Sequence, residues 1–298
     1  MPIRIAEYLG QRTDLEHPVI RPTRLSPSVV PTCPFMGGPC SKITGSKSYH
    51  PVCSVRTASG EFFPVCSDRL VPAKARVLTS EHLEILAQVA SALFPGVDES
   101  SVGFRRQVGS QLGEKRQVYL DYVLSLNETP FIGRSRVILE VQGGGETSNT
   151  GTISNHVTQW MDQPERTNEM LRQPQNHVNI IPNNAWKRQL EQVFRKAPLA
   201  RAFGGGFALV MGSVLYEYVR RSVKSGSTWY PDWDVALVEL AEQPSSATKS
   251  VAVSAGRSVF MSYSDFVASV SENDDVDRLR NPFQGVYTTL HNYEFEIH

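Results

Sequence analysis

The sequence predicts an α/β fold with a mixed sheet, that is, an α+β arrangement of parallel and antiparallel strands. After residue 118, apolar β-rich runs alternate with stretches whose apolar residues recur at helical spacing. The 298 residues suffice for one large core and a small accessory module. We therefore divide the chain into an N-terminal region that contains all the cysteines, residues 1–75, and a core with its recognition elements, residues 76–298.

Each element is predicted from its local pattern. A helix over residues 79–94 follows from Thr79 or Ser80 as its cap and from apolar residues at helical spacing. A second helix over residues 185–196 carries an apolar stripe and a charged face. Further strands are predicted over residues 206–211, 233–240, 251–254 and 258–261, and further helices over residues 5–10, 213–223 and 263–271.

Residues 117–142, QVYLDYVLSLNETPFIGRSRVILEVQ, predict a hairpin with a turn near residues 127–134. If it folds symmetrically, positions that sum to 261 face each other, and Asp121 lies opposite Glu140. Two facing carboxylates repel each other unless a cation lies between them, and oxygen ligands suit Mg²⁺. Taken alone, the pair is also typical of solvent-facing acids on an edge hairpin. Strand alternation places two sets of residues on opposite faces: Tyr119, Asp121, Val123, Ile138, Glu140 and Gln142, against Val118, Leu120, Tyr122, Leu124, Val137, Leu139 and Val141.

Composition bounds the class of protein. The formal net charge is zero, which is unlike many nucleic-acid binders but does not exclude a local basic cleft. The longest uncharged apolar run, residues 202–216, is too short to span a membrane, and the first residues lack the apolar centre of a signal peptide. We expect a soluble cytoplasmic protein that does not interact with membranes.

The four cysteines are clustered within 34 residues, with the spacing Cys-x6-Cys-x12-Cys-x12-Cys. Disulfides are disfavoured in a reducing cytoplasm, so four thiolates in a small region favour a closed, structural, tetrahedral site for zinc or iron. Four buried free thiols are the alternative, and His50 is either a replacement ligand or a surface residue. The candidate ligands are Cys33, Cys40, Cys53 and Cys66.

An Asp on one strand and Glu-x-Lys on the next form the signature of the PD-(D/E)XK nuclease fold. Here Asp121 is followed by Glu140-Val141-Gln142, with Gln at the usual Lys position. Together with the cysteine cluster, Thr32-Cys33-Pro34-Phe35 and Gly206-Phe207-Ala208, this order resembles the NotI-type type II restriction endonucleases over about two thirds of the chain. The modest length is similar to that of EagI-like members.

The resemblance implies a PD-(D/E)XK restriction-endonuclease core behind a small N-terminal metal-binding module. It implies catalytic Mg²⁺ at Asp121, Glu140 and the carbonyl of Val141, with Gln142 orienting the attacking water, and structural iron or zinc at the cysteines. It further implies a bacterial homodimer that makes double-strand cuts in double-stranded DNA at a GC-rich palindrome with a GGCC centre, leaving 5′-phosphates.

Three further features stay open. Glu114 lies seven residues before Asp121 and is either an additional acid of the metal site or a solvated charge. The stretch GGGETSNTGTISNH after Gln142 is either a DNA-contacting loop or a connector. The charged face of the helix over residues 185–196 either meets phosphates or is merely solvated.

Two other functions are compatible with the sequence. A repair or recombination nuclease of the same fold would cleave according to DNA structure instead of sequence. In a non-catalytic DNA-binding protein whose fold is stabilised by a bound metal ion, Asp121 and Glu140 would be ordinary surface acids.

Overall fold

The structure is a computed structural model that describes residues 2–15, 20–21, 30–40, 51–112, 116–127, 130–144, 146–148, 150–223, 225–243, 249–270, 285–290 and 294–297. Within these ranges the fold is mixed α/β, as predicted, and it is built on a large mixed sheet. The description below concerns these residues only.

The large sheet has eight strands, which in chain order are β5 (Val102–Leu112), β6 (Arg116–Leu126), β7 (Arg136–Gln142), β10 (Gly206–Gly212), β11 (Val235–Glu242), β12 (Val253–Met261), β13 (Gly285–Thr289) and β14 (Glu294–Ile297). Their order across the sheet is β12-β11-β10-β7-β6-β5-β13-β14. Strand β10 runs parallel to both neighbours, β7 and β11, and the other pairs are antiparallel. A two-stranded ribbon pairs β8 (Glu146–Thr147) with β9 (Ile180–Ile181).

Six α-helices occur in the described ranges: α1 (Ser80–Leu93), α2 (Thr150–Asp162), α3 (Thr167–Arg172), α4 (Pro182–Ala202), α5 (Ser213–Ser222) and α6 (Tyr263–Val270). Helix α1 shares an apolar core with one face of the sheet, and α4, α5 and α6 share a second core with the other face. Covering both faces explains why β10 and β11 read as continuous apolar runs. None of these helices combines the length and apolarity needed to cross a bilayer.

A smaller antiparallel sheet has the order β2-β1-β3-β4 and comprises β1 (Arg4–Tyr8), β2 (Gln11–Arg12), β3 (Val52–Arg56) and β4 (Phe62–Pro64). The predicted helix over residues 5–10 is therefore wrong. Ile5 and Tyr8 pack into a third core with α2 and α3, and Glu7 is buried against Arg69, so tertiary contacts decide the backbone state. Leu9 and Gly10 then turn the chain with positive φ angles of 46° and 69°.

Several sequence predictions are confirmed with small shifts of their ends. The helix over residues 79–94 is α1, and Thr79 caps it. The helix over residues 185–196 is the centre of the longer α4, and the helices over residues 213–223 and 263–271 are α5 and α6. The strands over residues 206–211 and 233–240 are β10 and β11. The two short strands predicted over residues 251–254 and 258–261 are one continuous strand, β12.

Candidate active site

The predicted hairpin forms with the predicted register. Strands β6 and β7 pair from Tyr122 with Leu139 to Ser125 with Arg136, and each pair sums to 261. The backbone ladder ends there, and the next two facing residues are Asp121 and Glu140. The Asp121 N–H donates to Oε1 of Glu140 at 3.1 Å, and the Val141 N–H donates to Oδ2 of Asp121 at 3.1 Å. Each carboxylate thus replaces a ladder partner on the opposite strand, which fixes both side chains at the point where the strands separate.

Side-chain alternation changes phase at the same point. Leu120 packs in one core with Val123 and Ile138, whereas Tyr122 faces the other core. The predicted placement of Leu120 and Val118 on the face of Tyr122 is therefore wrong. On the neighbouring strand, Gln107 has a φ of +48° between the register pairs Arg106–Tyr122 and Val108–Leu120, and the register is the same on both sides of it. Asp121 lines a cleft together with Glu140.

A lysine that the sequence analysis did not assign to the site completes it. The Nζ of Lys196, on α4, lies 2.7 Å from Oε1 of Glu140 and donates to the Tyr119 carbonyl at 2.7 Å. Lys196 is 2% exposed and Glu140 is 6% exposed, so the ion pair is shielded from water. Gln142, two residues after Glu140 on β7, carries no charge, and α4 supplies the cation beside Glu140.

The buried carboxylate pair is electrostatically unfavourable and only partly compensated by Lys196. Burial, together with the nearby charge of Asp121, raises the pKa of Glu140 to about 7, and Lys196 opposes both effects. Burial likewise raises the pKa of Asp121, against the lowering effects of the Val141 N–H and Lys196. Perturbed carboxyl groups that share a cleft are typical of functional sites.

Helix α4 lines the opposite wall of this cleft with polar side chains. The cleft has a volume of about 490 Å³, a size in the usual range for ligand sites. Gln142 Oε1 accepts a hydrogen bond from Gln189 Nε2 at 2.6 Å, which directs the Gln142 amide. The wall residues on α4 are Arg188, Gln189, Gln192 and Lys196. Of the charged face predicted for this helix, Arg188 lines the cleft, whereas Arg195 pairs with Glu191 on the helix surface.

The donor set fits a hard cation. Asp121 and Glu140 offer carboxylate oxygens at one cleft, and Mg²⁺ is commonly held by one or two protein carboxylates together with water and substrate phosphate. The Val141 side chain packs against the core on the α1 side, and its N–H is used by Asp121. Glu114, the predicted additional acid, lies outside the described residues.

Backbone hydrogen bonds hold the segments that carry the cysteines. The Cys33 N–H donates to the Gly38 carbonyl and the Cys40 N–H donates to the Pro31 carbonyl, whereas the Cys66 N–H donates directly to the Cys53 carbonyl. All four thiols are buried. Burial raises the pKa of Cys33 and raises that of Cys53 well above its usual range, with Cys40 and Cys66 adding to the respective shifts. Burial therefore disfavours the thiolate form of Cys33 and of Cys53.

No metal site is formed by these cysteines in the arrangement seen. Within the described ranges, no group of three or more His, Cys, Asp or Glu side chains is placed so that it could hold a metal ion. Cys33, Cys40 and Cys53 do share one small buried cluster with Phe35. His50 lies outside the described residues. The four-thiolate site stays a prediction, and no catalytic step is derived from it.

The glycines after Gln142 have a structural role. The Gly144 N–H donates to the Pro64 carbonyl at 2.7 Å, and a Cβ at Gly144 would lie 2.5 Å from the Phe63 ring. At Gly143, a Cβ would lie 3.1 Å from the Pro64 carbonyl oxygen. These glycines permit a close approach between the end of β7 and β4. This contact accounts for both glycines, and a role in DNA binding is not needed to explain them. The loop continues into residues 145 and 149, which lie outside the described ranges.

Comparison with known proteins does not assign this chain to a family. Neither a protein-family model nor a curated protein matches it. The geometry of the cleft at Asp121, Glu140 and Lys196 is therefore the basis for assigning a function.

Proposed function

We propose that this protein is a type II site-specific deoxyribonuclease with a PD-(D/E)XK core, which hydrolyses DNA phosphodiester bonds with Mg²⁺. One observation carries the proposal: Asp121 and Glu140 face each other where β6 and β7 separate, beside the buried cation of Lys196. Two carboxylates and a cation at one cleft supply the groups that metal-assisted phosphodiester hydrolysis requires.

The proposed roles follow from these contacts. Mg²⁺, when bound at Asp121 and Glu140, would lower the pKa of a bound water and neutralise charge on the scissile phosphate. Lys196 favours the ionised form of Glu140, and the hydrogen bonds from the Val141 and Asp121 N–H groups hold the two carboxylates in place. Gln142, directed by Gln189, presents its amide N–H to the attacking water. The reaction breaks the bond from phosphorus to the 3′ oxygen and leaves a 5′-phosphate.

The direct test is digestion of a GC-rich plasmid with purified protein and Mg²⁺, followed by sequencing of the ends. Discrete fragments with identical palindromic ends are expected. Asp121→Ala and Glu140→Ala should abolish cleavage and retain DNA binding. Glu191→Ala, which removes an exposed acid of α4 outside the cleft, is the matched control and should cut normally.

Other outcomes separate the alternatives. Cleavage only at branched or gapped substrates would replace the proposal with a structure-selective nuclease. DNA binding without cleavage, in both Mg²⁺ and Mn²⁺, would favour a non-catalytic binding protein. Strong cleavage by the Asp121→Ala variant would place the active site elsewhere in the chain.

The finer features of the proposal rest on the resemblance stated from the sequence. We propose a homodimer, because a palindrome cut on both strands is matched by two-fold symmetry, and a recognition site with a GGCC centre. Light scattering of the protein, alone and with DNA, tests the dimer. Structural iron or zinc at Cys33, Cys40, Cys53 and Cys66 is a separate proposal, tested by elemental analysis of the purified protein.

A further inference from the structure

A second cleft lies beside the candidate active site and is strongly basic. It has a volume of about 690 Å³ and is formed by the segment before α1, by β5 and by β13. Four cations line it, and no acidic side chain is found among its lining residues in the described ranges. The cations are Lys74, Arg76, Arg105 and Arg106.

The basic cleft is continuous with the active-site cleft. Lys74 and Gln107 line both of them, and Gln107 adopts the left-handed backbone conformation at the strand position next to Asp121. Backbone strain of this kind at a non-glycine residue costs free energy, and it is concentrated at functional sites. Because the two clefts share Lys74 and Gln107, a ligand bound at Asp121 can extend into the basic cleft.

The four cations are held differently. Arg106 donates to the Ala75 carbonyl at 2.8 Å and fastens the wall of the cleft to β5. The Arg105 guanidinium lies over the Tyr287 ring, 5.7 Å from its centroid. Lys74 and Arg76 are exposed, and Lys74 also lines the active-site cleft together with Asp121. Four like charges along one cleft create a local positive potential that favours a polyanionic ligand.

We propose that this basic cleft binds the sugar-phosphate backbone of duplex DNA next to the phosphate held at Asp121 and Glu140. The inference rests on the proposed nuclease function and names the surface that holds its substrate. Lys74 and Arg76 contact successive phosphates, while the exposed side chains of Val77 and Val286 flank them where sugars would lie. The cleft positions the DNA and carries no sequence information of its own.

The experiment measures binding of a fluorescein-labelled 24-bp duplex by anisotropy over a range of salt concentrations. The protein carries Asp121→Asn, so that cleavage does not interfere. The variant Lys74→Gln with Arg76→Gln removes two cations and keeps the side-chain length. Loss of two phosphate contacts should weaken binding about tenfold and reduce the slope of log Kd against log salt by about 2.

The matched control removes the same charge elsewhere. Arg221→Gln with Lys249→Gln neutralises two exposed cations that line neither cleft, and it should leave the slope unchanged. An equal loss in both double variants would show a general effect of net charge and overturn the proposal. An unchanged Kd and slope in the Lys74 and Arg76 variant would also overturn it. The single variants at these exposed positions serve if the double variant is unstable.

The failure of this inference can be distinguished from failure of the proposed function. If the protein with native Asp121 cuts DNA but the basic-cleft variant binds normally, the function stands and the cleft proposal falls. If that protein does not cut but the basic-cleft variant loses binding, the function falls and the cleft is a DNA-binding surface without catalysis. Tighter binding of an acidic peptide than of the duplex would assign the cleft to a protein partner instead.

Discussion

The ammonium group of Lys196 lies 2.7 Å from a carboxylate oxygen of Glu140, although 56 residues separate them in the chain. Helix α4 places this positive charge beside Glu140. The Gln142 side chain cannot supply a positive charge there, because an amide is neutral. The relationship makes Lys196 a positioning residue for Glu140 and leads to the first prediction.

Replacement of Lys196 by Met should lower the cleavage rate by about 10²-fold or more and move the pH profile to higher pH. Without the cation, burial and Asp121 are no longer opposed, so the pKa of Glu140 rises above its value of about 7. Single-turnover rates across the pH range measure the effect. Lys196→Arg keeps the charge and should retain the native profile, whereas a native profile in the Met variant would contradict the role.

Replacement of Asp121 by Asn should stabilise the metal-free protein while abolishing cleavage. Burial raises the pKa of Asp121 from 3.8, so the folded state loses stability as the pH rises from 3.8 through the raised value. Asn still accepts from the Val141 N–H and removes the repulsion with Glu140. We expect a higher melting temperature for the Asn variant in EDTA at about pH 8; a lower one would contradict this account.

Affinity for Mg²⁺ should increase with pH across neutrality. A carboxylic acid must lose its proton to bind a metal, and the pKa of Glu140 in the free protein is about 7. Affinity should therefore rise up to about tenfold per pH unit below that pKa and level off above about pH 8. Calorimetric titration of the DNA-free protein measures it, and Glu140→Gln is the control that should remove the dependence.

The free energy of unfolding should also decrease at acidic pH, because His82 is buried in its neutral form. Its Nδ1 accepts from the Thr79 N–H in the cap of α1, and burial lowers its pKa from 6.5 to about 4, with Arg69 adding to the shift. This contribution is fully present above pH 6.5 and is lost as the pH falls to about 4. It amounts to roughly 3 kcal/mol.

Denaturant unfolding between about pH 7 and pH 4 tests this expectation. His82→Gln keeps an acceptor for the cap and should flatten the pH dependence, whereas replacement of the exposed His177 by Gln should not. An unchanged slope in the His82 variant would assign the acid sensitivity to other groups.

The hairpin and the main helices could be predicted from the sequence because local patterns decide them. The turn between β6 and β7 sets the pairing of Tyr122 with Leu139, and Thr79 begins α1 through its own side chain. The facing of Asp121 and Glu140 followed from that register alone.

The rest of the site depends on contacts between distant segments. Nothing in the sequence around Gln107 predicts its left-handed backbone conformation. The sequence likewise does not predict that Leu120 packs on the opposite face of the sheet from Tyr122. A usable signal for Lys196 did exist: Gln189, Gln192 and Lys196 recur at helical spacing as a polar stripe on α4. The charged face with Arg195 and Glu191 is the stronger pattern in the sequence, but its ion pair lies on the solvent side of α4.

The contact of Gly143 and Gly144 with β4 has a consequence for how the chain can be divided. Gln142 lies one residue before Gly143, and Cys66 lies two residues after Pro64, so the end of β7 and the cysteine region share one contact surface. A fragment that starts at residue 76 would lack β4, which Gly143 and Gly144 contact. Under the proposed function, truncation or exchange of the first 75 residues would disturb the end of β7 and lower the cleavage rate, even though Asp121, Glu140 and Lys196 remained.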